Sequence, residues 1–183
     1  MISEYFAIAA GLVIMTVTVI IMLRKKYSYE RVLAASVMIL YLTGVICLTF
    51  FPIDITHTVD PDFNVFEHNL KLIPFSTIIF DITRGHLFYF LVQTGGNLIM
   101  TVPFGILLPV VYKAKKQSRY ALIFFGFTFI IELTQFIIGA SLGTFYRTAD
   151  VDDIILNFTG AMLGYLLFRI IKKIYIRKKQ NAS

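Results

Sequence analysis

The sequence predicts an all-α fold: a polytopic membrane helical bundle of about five transmembrane helices, with its N-terminus outside and its C-terminus cytoplasmic. Three observations predict it. Of the 183 residues, 57% are hydrophobic, and the mean hydropathy is +0.77. Only 15% are charged, against about 25% in a soluble domain. Apolar runs of bilayer-crossing length recur along the chain, and the basic residues gather at their ends instead of spreading over a solvated face. The chain 1–183 therefore reads as a single integral-membrane domain, multi-pass in the cell membrane and surrounded by membrane lipids.

A helix needs about 20 predominantly apolar residues to cross a hydrocarbon core about 30 Å thick. Tyr5–Leu23, Val32–Phe51, Tyr120–Ile138 and Ile154–Ile171 meet this requirement. A further run, Gly96–Tyr112, includes Asn97, Pro103, Gly105 and Pro109. Membrane helices tolerate proline and glycine where neighbours re-satisfy the freed backbone, and a kink near Pro103 is expected. The first run is too long for the apolar core of a cleavable signal, and its basic cluster Arg24-Lys25-Lys26 follows it instead of preceding it. The segment Pro52–Gly95 opens polar, with Asp54, Asp60 and Asp62, and turns apolar after Leu70. Within it, Ser76–Val92 is expected to form an interfacial or re-entrant helix broken at Gly95-Gly96.

Charge sets the direction of threading. Lys and Arg number four in Arg24–Arg31, four in Lys113–Arg119 and six in Arg169–Lys179, leaving only Lys71, Arg84 and Arg147 elsewhere. The positive-inside rule makes the three clusters cytoplasmic. The loops Pro52–Gly95 and Gly139–Asp152 then face outward. The tail Lys172–Lys179 marks the cytoplasmic end of the last helix, with anionic-lipid contact as a secondary role.

Several function classes are excluded. The net charge of +6 does not indicate nucleic acid, because it is concentrated at helix ends. Cys47 is the one cysteine, so no intrachain disulfide and no thiolate metal cluster can form; it reads as a small buried hydrophobe. His57, His68 and His86 lie in a loop at spacings that match no metal site, and read as solvated. There is no phosphate-cradling loop, nucleophile elbow or dinucleotide fingerprint. No metal and no cofactor is expected, although Glu132, Asp150 and Asp153 are the ligand type a hard divalent cation would take. The Phe-rich stretch Phe124–Phe129 reads as lipid-facing or core packing.

Glu132 is the only acidic residue inside a long apolar run. A carboxylate there costs several kcal/mol or more and marks a candidate site. It lies about six residues, or roughly 9 Å, from the outer end of its helix. Asn97 and Asn157 fall at a similar depth on two other helices. Gln135 shares a face with Glu132 at a spacing of three. Asp150, Asp153, Asn157, Gly160 and Gly164 step by three or four and form one narrow stripe. Asp152 falls on the opposite side and is expected to be solvated. Gly160 and Gly164 let a neighbouring helix approach closely. Arg147, at the outer mouth, is placed to neutralise Glu132 or Asp150, or to bind an anionic group with its planar fork. The plainer alternative is a polar clamp that holds the helices together and serves no ligand.

Asn97 with Pro103-Phe104-Gly105, then Glu132-Leu-Thr-Gln135, then Arg147, Asp150, Asp153, Asn157, Gly160 and Gly164 in that order resembles the VanZ-like family. Leu72-Ile73-Pro74-Phe75 resembles a further signature of that family. The similarity runs from about Tyr41 to Ile171. One position departs from it: the asparagine that often precedes the Leu-Ile/Val-Pro-Phe motif is Lys71 here, with Asn69 two residues earlier. The resemblance implies a small multi-pass membrane protein with a cell-envelope role. The family's namesake is associated with resistance to teicoplanin-type glycopeptide antibiotics in Gram-positive bacteria.

The expectation is therefore an outward-facing polar pocket for an envelope amphiphile, either a lipoglycopeptide or a polyprenyl-phosphate intermediate. Arg147 would meet the anionic group. Asn97, Glu132, Gln135, Asp150, Asp153 and Asn157 would shape the pocket, with Pro103, Gly105, Gly160 and Gly164 in structural roles. The alternatives are an intramembrane enzyme acting on lipid-linked intermediates, with Glu132, Asp150 and Asp153 as candidate catalytic groups, and a small transporter or flippase.

Overall fold

The apolar runs become helices because a backbone in hydrocarbon must satisfy its own hydrogen bonds. A computed structural model describes residues 1–55, 64–143 and 146–181. Helices α1 (Tyr5–Arg24), α2 (Tyr29–Phe50), α5 (Leu87–Val111), α6 (Ser118–Leu142) and α7 (Val151–Asn181) are long and apolar enough to cross a membrane. Two short helices, α3 (Val65–His68) and α4 (Ser76–Thr83), precede α5. Two-residue strands β1 (Leu70–Lys71) and β2 (Ala149–Asp150) pair in parallel, Leu70 with Ala149 and Lys71 with Asp150. The all-α membrane bundle read from the sequence is the fold observed.

The segment before α5 departs from expectation. The helical stretch breaks at Gly85, which has φ of 73°, and not at Gly95-Gly96, both of which continue inside α5. Glycine takes that left-handed conformation without the steric penalty of a Cβ. Helix α5 therefore begins nine residues before the run read at Gly96 and passes without interruption through Pro103 and Pro109. Helix α4 is a separate eight-residue element whose Ile79, Phe80 and Ile82 are exposed.

Helices α5 and α7 make the closest contact in the bundle, and small residues permit it. A side chain at Gly105 would collide with the Ala161 carbonyl, one at Gly160 with Leu98 and Thr101, and one at Gly164 with the Val102 carbonyl. The Thr101 hydroxyl donates to the Asn157 carbonyl at 2.6 Å across the same seam. Helix α1 packs on α2 through Gly11 against Thr43. Tyr41 on α2 donates to the Met100 carbonyl of α5 at 2.8 Å.

The core gathers Met38, Phe104, Tyr120, Phe124 and Ala161. Phe104 stacks on Phe127 with centroids 4.2 Å apart and meets Phe124 edge-on. The Phe-rich stretch serves both readings: Phe124 is fully buried, whereas Phe125 and Phe129 face outward. Cys47 is half-buried and free. His68 and His86 are exposed, while His57 lies outside the described residues, as do Asp60 and Asp62.

A polar cavity between the helices and its capping network

Helix ends leave unpaired backbone groups, four carbonyls at each C-terminus and four amides at each N-terminus. Inside a membrane protein these need partners from the fold itself. Much of the polar cluster supplies them.

The C-terminus of α2 is capped from two directions. Arg147 Nη2 donates to the Leu48 carbonyl at 3.1 Å and to the Phe51 carbonyl at 3.4 Å. Gln135 Nε2 donates to the Thr49 carbonyl at 3.2 Å. The Tyr146 hydroxyl donates to the Phe50 carbonyl. Burial pushes the Tyr146 phenol above its usual pKa, against the opposing pull of Arg147, so it stays a neutral donor. A cation at this end also complements the helix dipole. Arg147 therefore does not neutralise Glu132 or Asp150: among the described residues it bridges no carboxylate. The carbonyls of α2 lie nearer to its nitrogens than either acid does.

The N-termini of α4 and α7 are capped by acids. Asp150 precedes α7, and its Oδ1 accepts from the amide of Asp152 at 2.9 Å, a standard N-cap bond. Its Oδ2 accepts from the Thr77 hydroxyl at 2.5 Å. Asp152 accepts from the amides of Phe75 and Thr77, so it caps the first turn of α4 from a different helix. The sequence reading placed Asp152 in solvent, and this is corrected: it is 2% exposed. Its side of α7 is indeed opposite the polar stripe, but the Leu72-Ile73-Pro74-Phe75 turn and α4 fold over that side. Phe75, in the left-handed region with φ of 64°, turns the chain into α4 there.

Asn69 is buried, and its Nδ2 donates to the Arg147 carbonyl at 3.2 Å. A side chain on Gly139 would collide with it. The Asn69 carbonyl accepts from the Ala149 amide at 2.9 Å. Asn69 thus ties the incoming loop to β2, two residues before the Lys71 position.

Glu132, 4% exposed, accepts from the Asp150 amide through Oε2 at 3.1 Å. Asn97 Nδ2 donates to Asp153 Oδ1 at 2.5 Å, joining α5 to α7. Asn157 is 1% exposed, and its Oδ1 is buried without a hydrogen-bond partner among the described residues. A cavity of about 390 Å³ opens among these groups, and its lining includes all seven expected polar residues: Asn97, Glu132, Gln135, Arg147, Asp150, Asp153 and Asn157. Three polar groups read at one depth on three helices thus meet in one space. Pro103, Gly105, Gly160 and Gly164 do not line it; the three glycines set the α5–α7 approach instead.

Lys71 and Gln93 also line the cavity and were not singled out in the sequence. Lys71 gave no signal beyond its place in a motif. Gln93 falls in the expected break between Ser76–Val92 and Gly96–Tyr112, although in α5 it sits four residues before Asn97 on one face. A second space of about 270 Å³, almost wholly apolar, lies between α6, α7 and β1, and its lining includes Leu72, Phe129, Leu133 and Phe136. It shares Lys71, Glu132 and Asp150 with the polar cavity. No group of three or more His, Cys, Asp or Glu suited to a metal ion occurs among the described residues.

Comparison with curated proteins and with solved structures gave no match. The family profile described as VanZ/LLP1 matches residues 38–172, nearly three quarters of the chain and the whole of the polar cavity. The chain belongs to the VanZ/LLP1 family.

Proposed function

We propose that the polar cavity receives the charged head of a cell-envelope amphiphile, with the cavity facing outward. The observation that carries this reading is Asn157 Oδ1, a buried acceptor with no partner among the described residues, at the wall of a polar space. An unmet acceptor at that depth lowers stability unless a donor arrives. Glu132, Asp153 and Asn157 are the wall groups whose side chains are least consumed by capping. Asp150 has both carboxylate oxygens engaged and serves as scaffold. Arg147 holds the mouth, with its remaining guanidinium donors suited to phosphate or carboxylate.

The ligand class that fits is a lipoglycopeptide or a polyprenyl phosphate. The adjoining apolar space supports this, since an amphiphile needs a place for its chain beside its head. Resistance to teicoplanin-type glycopeptides is the corresponding phenotype. In cells expressing the chain, Glu132→Gln and Arg147→Ala are expected to restore glycopeptide susceptibility at unchanged membrane abundance. Unchanged resistance at equal abundance would remove the support for a ligand pocket.

A second reading is an enzyme acting on lipid-linked intermediates. It rests on Glu132 and Asp153 lining one desolvated space, where one acid can give and another take a proton. Turnover of such a lipid by the purified chain, abolished by Glu132→Gln, separates chemistry from binding.

A further inference from the structure

The opposite end of the bundle carries a second built feature. Two adjoining cavities of about 590 and 780 Å³ open where α5 ends, α6 begins and α7 leaves the bundle. The first is ringed by Lys113, Arg169, Lys172, Lys173 and Arg177. The second adds Lys25 and Lys26 from the α1–α2 turn and Arg31 from the first turn of α2. Both share Lys113 and Lys172 at their junction, over Pro109 and Phe168. Among the described residues, Glu30 is the one acid in either lining. Among the described residues, no carboxylate bridges any of these cations. Arg169 bonds to Gln117 at 3.3 Å, which leaves its charge uncompensated.

The arrangement is layered. Arg169 lies 6.0 Å from the Tyr165 ring centroid, and Lys172 lies 5.9 Å from that of Phe168. The cations therefore sit above an aromatic and apolar floor. Depth agrees with this. A hydrocarbon core about 30 Å thick takes about 20 residues of helix. Counted from Val151, that length ends close to Lys172, at the level of lipid phosphates. The rest of α7, as far as Asn181, projects beyond it.

We propose that these joined cavities form a binding site for the headgroup of an anionic glycerophospholipid. Lys113 and Lys172 hold the phosphate, and the floor of Pro109 and Phe168 meets the start of the acyl chains. Topology alone requires basic residues near this end of the helices. It does not require them to converge from the α1–α2 turn, the start of α2, the α5–α6 loop and α7 around one cleft with an apolar base. A free phosphate would use the cations and leave the floor unused, which argues for lipid as the source.

The test uses the full chain purified in a neutral detergent at moderate salt, titrated with phosphatidylglycerol, phosphatidylcholine or inorganic phosphate. Thermal unfolding reads binding, and native mass spectrometry counts bound lipid. Phosphatidylglycerol is expected to bind saturably, and the other two are not. The pair K113Q/K172Q is expected to weaken binding about thirtyfold, taking two lysine contacts at headgroup level. The pair K178Q/K179Q removes the same charge outside both linings and is expected to change binding less than about threefold. K113R/K172R keeps the charge and is expected to retain binding. Equal losses in the two glutamine pairs would show diffuse attraction and overturn the site. Equal binding of phosphatidylcholine, or of inorganic phosphate, would overturn it too.

Discussion

The backbone amide of Asp150 donates to the Glu132 carboxylate at 3.1 Å, tying the interior of α6 to the residue that caps α7. One oxygen of the costly buried acid is thus spent on architecture, and the other remains for the cavity. The two roles separate by substitution. Glu132→Gln keeps a carbonyl acceptor for the amide and is expected to unfold close to the wild-type temperature. Glu132→Leu leaves that amide unmet and is expected to lose about 1–3 kcal/mol of stability. Thermal unfolding in detergent distinguishes them, and equal behaviour of the two variants would contradict the bond's structural weight.

Asp152 reaches from the start of α7 to cap α4. Asp152→Ala removes both acceptors, and a lost cap is worth about 1 kcal/mol. Amide hydrogen exchange across Phe75–Thr83 is expected to accelerate while exchange in the centre of α6 is unchanged. Uniform acceleration throughout the chain would instead make Asp152 a global determinant.

Asn157→Leu offers a stability and function contrast. It removes a buried unpaired acceptor but leaves the Asn157 backbone carbonyl to Thr101. The folded chain is expected to be as stable as wild type or more so. Ligand-dependent function is expected to fall. A loss of stability without any change in glycopeptide susceptibility would favour a polar clamp.

The α5–α7 seam is expected to reject bulk. Gly164→Val would drive a side chain into the Val102 carbonyl, while Gly126, with open space around its Cβ direction, accepts Ala. Overpacking of a tight contact destabilises by about 1–3 kcal/mol, sometimes more. The yield of monodisperse protein is expected to fall for Gly164→Val and to hold for Gly126→Ala.

Much of this is legible in the sequence. Hydropathy located the five long helices, because membrane-crossing length is a property of composition. Depth counting along three helices brought Asn97, Glu132 and Asn157 together. The glycine spacing anticipated the α5–α7 approach. What escaped was tertiary satisfaction of backbone groups. Nothing local to Asp152 says that a turn some 75 residues earlier will cover it, and the solvated reading failed there. For Arg147 the sequence offers a carboxylate or an anionic ligand group as partner, but not the carbonyls at a helix end that it meets, because sequence pairs charges more readily than it pairs a cation with backbone. The start of α5 was missed because the polar Gln93, Thr94 and Asn97 around Gly95-Gly96 resemble a break, whereas the left-handed backbone lies at Gly85. One available signal was passed over: Asp150, just before an apolar helical run, is a recognisable N-cap.

The proposed role of the cavity bounded by Asn97, Glu132, Asp153 and Asn157 is to take the polar head of an envelope amphiphile. Equilibrium binding of teicoplanin and of a short-chain polyprenyl phosphate to the purified full chain tests it most directly, with wild type beside Glu132→Gln and Asn157→Leu. Wild type is expected to bind one of these ligands saturably, and both variants are expected to lose that binding while their unfolding temperatures hold. Saturable binding of neither ligand, or equal binding by all three proteins, would contradict it.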